Sequence, residues 1–358
     1  MTPLIAPKYT GNSPSGLGLA VESMKRNTTD EGWQIFNGLW KNGYELAGYN
    51  LDTRSYRKDQ LFKHQTHIPT IIDIVNPGIV IVQDKREWEG KTSGGKDFDQ
   101  REKFVDVDYL SKRDDIFKLT IVKDAQHNSD YHRESAEEIG CNGWIVYYDV
   151  DKVCSLAPYI RKEHVVRTYH TIDKDIIPDF SKYSRVGCLL SGALSTTYPI
   201  RQQLFRHVSY LENTDIIRHP GYHRTFCHTP EFLDTLSRYK VAICTSSIYG
   251  YALRKMIEAT ACGCVVLTNL PDTDILPEID DNLIRIKPHP EKEFLTLQRY
   301  ANKIREAISK YNPERQRHFA ENAKQYYDYR VMCGKLVRDV EQMRVSYNNS
   351  YTFEYNHT

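Results

Sequence analysis

The stretch YGYALRKMIEATACGCVVLTNLPDTDILPE, residues 249–278, reads as a helix, a hard stop and a buried strand. Leu253, Met256, Ile257 and Thr260 fall on one stripe at helical spacing. ACGC ends the helix, and Val265, Val266 and Leu267 form an unbroken apolar run behind it. On the opposite face Arg254 and Glu258 stand four apart, with Lys255 beside them, where the helix begins. A helix that turns straight into a buried strand is half of an αβ unit.

The same alternation extends in both directions. YPIRQQLFRHV is a helix with proline in its first turn, preceded by GCLLSGA, a strand entering a small-residue turn. PEFLDTLSRY is a helix and KVAICTSS a strand. In the N-terminal half EGWQIFNGLWKNG reads as a helix closed by Gly43, and YELAGYNL as a strand. GIVIVQD (78–84), FKLTIVKD (117–124) and GWIVYYD (143–149) are short apolar strands, each ending in aspartate, with DYHRESAEEIGC a helix between the last two. Residues 1–32 are Gly-, Ser-, Thr- and Asn-rich and read as irregular; SYNNSYTFEYNHT at the end reads as a polar aromatic tail.

Alternating strands and helices imply parallel sheets covered on both faces. The expected class is α/β, with two Rossmann-like αβ domains whose parallel sheets face each other across a cleft. Residues 1–168 form the first, 169–184 a Pro-bearing linker (HTIDKDIIPDFSKYS lies within it), and 185–330 the second. Residues 331–358 form a C-terminal helix and tail expected to cross back to the N-terminal domain. Ligands of such sheets bind at the carboxyl ends of the strands.

A chain of 358 residues exceeds one core, in line with two domains. Its net charge of +1 advertises no strongly basic or acidic partner. No apolar run is long enough to span a bilayer, and the first residues lack the order of a signal peptide. Eight cysteines without a CxxC pair suit reduced thiols better than disulfides or zinc. The expectation is a cytoplasmic protein with no membrane insertion and no metal.

RKMIEATACGCVVLT resembles the nucleotide-sugar motif of GT-B glycosyltransferases, E-A-x-A-C-G-x-x-V. YHTIDKDIIPDF is similar to the interdomain segment of that family, and EFLDTLSRYKVAICTSS to the helix and strand before the motif. The resemblance implies a nucleotide-diphosphate sugar as co-substrate, a UDP-sugar first among them, and no further cofactor. It implies that Arg254 and Lys255 neutralise the diphosphate at the helix N-terminus while Glu258 bonds the ribose. Ser191 and Gly192, with Arg201 in the next helix, form a second phosphate-facing turn. The plainer alternative is that Arg254 and Glu258 make an i, i+4 pair on a solvated helix face, worth a few tenths of a kcal/mol, ~0.2–0.5.

The chain also departs from that family. Its retaining members carry a second glutamate eight residues before the first, where this sequence has Gly250. An inverting displacement needs a general base instead. Asp124, with His127 nearby in VKDAQHN, is the first candidate and resembles the strand-end aspartate of phage DNA glucosyltransferases; Asp84 is the next. Each could equally cap a helix after its strand. A GT-A enzyme would place a divalent metal on Asp149 and Asp151 of IVYYDVD, but would leave the second αβ half unexplained.

The acceptor is expected on the N-terminal half, where 8–30 and 85–103 read as polar, locally basic loops. Lys85, Arg86 and Trp88 are the candidates to hold a saccharide or hydroxymethylated pyrimidine in DNA. A catalytically silent sugar-nucleotide or glycan-binding protein on the same fold is the non-enzymatic alternative. No motif names the sugar or an oligomeric state.

Overall fold

The computed structural model describes residues 18–22, 34–35, 38–39, 41–48, 69, 72–73, 76–83, 107–122, 129–218 and 229–355. The chain divides into two compact units. The first takes the described residues up to Thr168 and again from Cys333; the second takes Tyr169–Met332.

The first unit is built on β1 (Gly18–Glu22), β2 (Glu45–Gly48), β3 (Ile79–Gln83), β4 (Phe117–Val122), β5 (Gly143–Val146) and β6 (Val165–Arg167). They form one sheet in the order β2-β1-β3-β4-β5-β6, all neighbours parallel. β4 and β5 are buried throughout, as parallel strands between helical layers must be. The described helices of this part are α1 (Val107–Ser111), α2 (Ser129–Ile139) and α3 (Val150–Leu156).

Three sequence expectations need correction. β1 lies inside the segment read as irregular; GLAVE offers only three consecutive apolar side chains amid Gly and Ser, and its pairing with β2 and β3 makes it a strand. β5 ends at Val146, so Asp149 does not end a strand: it caps α3, accepting from the Lys152 N–H at 2.9 Å. The final segment, read as a helix followed by a polar aromatic tail, is helical up to Tyr355. α9 (Tyr329–Tyr355) runs through it, and no glycine or proline after Gly334 interrupts the helix.

The second unit carries β7 (Val186–Gly192), β8 (Thr214–Arg218), β9 (Tyr239–Ile243), β10 (Val265–Thr268) and β11 (Leu283–Arg285), in the order β11-β10-β9-β7-β8. Again every neighbouring pair is parallel. Its helices are α4 (Pro199–Arg206), α5 (Thr229–Leu236), α6 (Arg254–Ala261), α7 (Glu293–Ser309) and α8 (Pro313–Tyr326). The period of two along each strand divides the core. Leu189, Ala242 and Val266 pack with Leu233, Met256, Ile257 and Tyr327 on one face. Leu190, Ile243 and Leu267 pack with Leu204, Leu297, Tyr300 and Ile304 on the other.

Within this unit the entering chain is clipped to the start of α9. Ile172 donates to the Tyr327 carbonyl and accepts from the Tyr329 N–H, both at 2.9 Å. Arg330 bonds Asp173 at 3.1 Å and Asp175 and Asp328 at 2.6 Å. The strand order reverses between β7 and β9, which opens a crevice at their carboxyl ends.

Candidate functional site

β7 delivers Ser191 and Gly192 to that crevice. Gly192 has φ +126°, and a Cβ there would fall 2.6 Å from Arg201 Nη1 and 2.9 Å from Lys255 Nζ. Only glycine lets the backbone come this close to both cations. One cation comes from α4 and the other from the first turn of α6, so the two helices flanking the reversal point aim positive charge at one glycine.

Arg201 is 2% exposed. Its Nε donates to Thr245 Oγ1 at 3.2 Å, its Nη2 to the Thr245 carbonyl at 3.1 Å and its Nη1 to the Ala193 carbonyl at 3.2 Å. The guanidinium stacks on Tyr198, 4.1 Å from the ring centre. Lys255 Nζ lies 5.3 Å from the Phe232 ring centre. Both cations are felt by Cys244, whose thiol burial pushes up to about 12 while Lys255 and Arg201 pull it down. At neutral pH this thiol is protonated and is no nucleophile.

α6 opens without a side-chain cap: Leu253 stands at its N-cap. The first-turn N–H groups and the partial positive charge of the helix therefore face the crevice beside Lys255. Arg254 and Glu258 form an ion pair with Nε–Oε1 3.1 Å, their side chains 14% and 8% exposed. Glu258 is buried and Arg254 half-buried, so the solvated-face alternative does not describe the pair. Just upstream, the Ala252 N–H donates to the buried Asp274 carboxylate at 3.0 Å, and the Ser246 N–H to Asn269 Oδ1 at 2.9 Å.

Gly250 has φ +72°, and a Cβ there would lie 3.1 Å from Pro271 Cγ. A glutamate at that position would carry left-handed strain of about 1–2 kcal/mol and crowd the proline. The departure from the two-glutamate pattern is thus a backbone feature and not a single altered side chain.

The structure brings Gly192, Arg201 and Lys255 together, with Ser191 preceding the glycine and the Arg254–Glu258 pair on the same helix as Lys255. Thr245 and Tyr198, which hold Arg201, carry no recognisable motif; their role appears only when β7 and β9 are seen to be neighbours. In the first unit Asp84, Lys85, Arg86, Trp88, Asp124 and His127 lie outside the described residues. Asp149 is engaged as a cap, with Arg167 at 3.9 Å, and Asp151 pairs with Lys162 at 2.7 Å. Among the described residues no three His, Cys, Asp or Glu side chains gather as a metal site. Nor is any described helix long and apolar enough to cross a membrane.

No protein-family model and no curated protein matches the sequence. Solved structures match the fold. A Rickettsia africae glycosyltransferase aligns with TM-score 0.58 at 11% identity, over 92% of this chain and 99% of that one. Anabaena HepE, solved with UDP and glucose, aligns with TM-score 0.55 at 9% identity, over 91% and 100%. An alpha-glucosyltransferase solved with UDP and a 13-mer DNA aligns with TM-score 0.54 at 13% identity, over 92% and 100%. At these identities the likeness is one of architecture: the chain has the two-domain α/β fold of these glycosyltransferases, the GT-B type.

Proposed function

We propose that the protein is a glycosyltransferase that moves a sugar from a nucleotide-diphosphate sugar, a UDP-sugar first, to an acceptor hydroxyl. The carrying observation is the convergence of Arg201 and Lys255 on Gly192 at the point where the sheet reverses. A diphosphate there meets two cations and the uncapped N-terminus of α6. These groups stabilise the charge that develops on the leaving diphosphate as the glycosidic bond breaks. Glu258, paired with Arg254, is assigned to accept from the ribose hydroxyls.

With Gly250 where the retaining pattern has a glutamate, the displacement is read as inverting. Asp124 takes the acceptor proton, with His127 beside it in sequence and Asp84 as the alternative base. Lys85, Arg86 and Trp88 are assigned to the acceptor, either a saccharide or hydroxymethylated DNA. Of the similar structures above, one binds glucose and another DNA, so the fold serves both kinds of partner.

The test is release of nucleoside diphosphate from a panel of nucleotide sugars, with chelator present, against glycan acceptors and hydroxymethylated DNA. Acceptor-dependent release in chelator supports the reading. No turnover and no UDP binding by calorimetry would sink it; UDP binding without turnover would favour a silent binding protein.

A further inference from the structure

The opposite end of the second unit's sheet carries a second concentration of cations. Arg185 immediately precedes β7, Lys240 is the second residue of β9, and Gly263 turns the chain just before β10. Phe180 lies against Gly263, where a Cβ would fall 2.5 Å from its ring and 2.9 Å from Arg185 Nη2. Arg185 and Arg317 both stack on Phe180, at 4.4 and 5.2 Å from its centre. Lys240 lies 5.7 Å from the Tyr311 ring, whose hydroxyl donates to the Gly263 carbonyl at 3.0 Å. Lys182 and Arg238 stack on Tyr183 nearby, at 5.0 and 4.6 Å.

Carboxylates answer only part of this charge. Asp234 pairs with Lys182 at 2.8 Å and Arg238 at 2.9 Å. Asp179 accepts from Ser181 and lies within the field of Lys324 and Arg317, and Asp215 accepts from Tyr239 at 2.8 Å. Arg185, Lys240 and Arg317 have no ion-pair partner among the described residues, and Arg185 donates only to the carbonyls of Tyr239 at 3.3 Å and Phe180 at 3.4 Å. Arg185 Nε is buried there without a hydrogen-bond partner. Like charges gathered round shared rings repel, and an external polyanion removes that cost.

We propose that this edge of the second unit holds the phosphate backbone of a nucleic acid, without reading its bases. A duplex presents one negative charge per about 1.7 Å of axis, a continuous counterpart to an excess of cations spread over several elements. Base stacking is not the mode, because the rings of Phe180, Tyr183 and Tyr311 already carry cations. An anionic membrane fits less well: of the residues named here only Val186, 59% exposed at the start of β7, offers an exposed apolar side chain, and surface-lying membrane proteins need an apolar anchor as well as charge. The site is separate from the crevice at Gly192, at the other end of β7 and about 20 Å along it. It does not depend on the glycosyl-transfer reading.

The experiment is a fluorescence-anisotropy titration of the full chain with a short labelled DNA duplex over a salt series, for wild type and the variant Lys240→Gln/Arg317→Gln. Arg317 is exposed and Lys240 is partly so, which spares the core. The variant should bind the duplex about tenfold more weakly at low salt, with the slope of log K against log salt reduced by about two. UDP affinity, titrated separately, should stay at the wild-type value. No duplex binding by wild type, or an unchanged variant affinity and slope, would overturn the proposal. Loss of binding to phosphatidylserine vesicles with duplex binding intact would overturn it in favour of a membrane.

Discussion

Arg201, on α4, holds Thr245, just beyond β9, through two hydrogen bonds, Nε to Oγ1 at 3.2 Å and Nη2 to the carbonyl at 3.1 Å. The pair ties together the ends of the two strands between which the sheet reverses. A cation fixed on both sides and stacked on Tyr198 loses little freedom when an anion arrives.

Arg201→Lys keeps the charge but removes the fork. UDP binding should weaken by about 1–3 kcal/mol, the worth of charged hydrogen bonds. Thr245→Val leaves the carbonyl acceptor in place and should cost less, about 0.5–1.5 kcal/mol. Isothermal titration with UDP reads both, and a lysine variant with wild-type affinity counts against the site.

Gly192→Ala tests the close approach itself. A methyl group at φ +126° and 2.6 Å from Arg201 Nη1 must displace the guanidinium or the turn. The expected outcome is about 1–3 kcal/mol of lost stability, with weakened UDP affinity, read by denaturant unfolding and calorimetry. Unaltered stability would mean that the turn is looser than its geometry implies.

The Arg254–Glu258 pair separates structure from binding. Glu258→Gln removes the carboxylate from this half-buried pair and should destabilise the fold by roughly 1–3 kcal/mol. The double variant Arg254→Met/Glu258→Leu removes both charges and should recover most of that loss. UDP-sugar affinity should not recover. Recovery of binding as well would show that the pair serves packing alone.

Cys244 and Cys262 give a pH signature. Burial raises both thiols from 9.0 to about 12. The folded state then retains protons that the unfolded chain gives up, so these groups lower stability as pH rises from 9 towards 12 and contribute no pH dependence below that window. In native protein near neutral pH neither should react with iodoacetamide, whereas both should label once denaturant unfolds the chain. Rapid native labelling of either, mapped by mass spectrometry, would contradict the buried placement.

α6 and β10 are legible because Met256, Ile257 and Thr260 repeat at helical spacing and Val265–Leu267 is unbroken. β1 is not, since a strand of five residues led by glycine earns its place only through the neighbours it pairs with. Asp149 reads as a strand end because Tyr147 and Tyr148 extend the apolar run; the backbone leaves the sheet before them. Arg201 reads as a helix cation, but its hold on Thr245 depends on β7 lying beside β9, a long-range pairing that no local pattern encodes. Gly250 reads as a missing glutamate, and its left-handed φ supplies the reason.

Asp124 is two residues past Val122 in sequence, the last residue of β4, and ligands of parallel sheets bind at the carboxyl ends of their strands. An inverting displacement needs one carboxylate in reach of the attacking hydroxyl and none that bonds covalently to the sugar. Asp124→Asn preserves shape and removes basicity. Turnover should fall by roughly 10²–10⁴, the usual worth of a positioned base, while UDP-sugar affinity stays near wild type because Arg201, Lys255 and Glu258 belong to the other unit. The anomeric configuration of the product, read by NMR, tests the same assignment independently, since inversion is required. A near-normal rate in the asparagine variant would move the role to Asp84, to be changed next in the same way. A product that keeps the configuration of the sugar would remove the need for a base on this face at all.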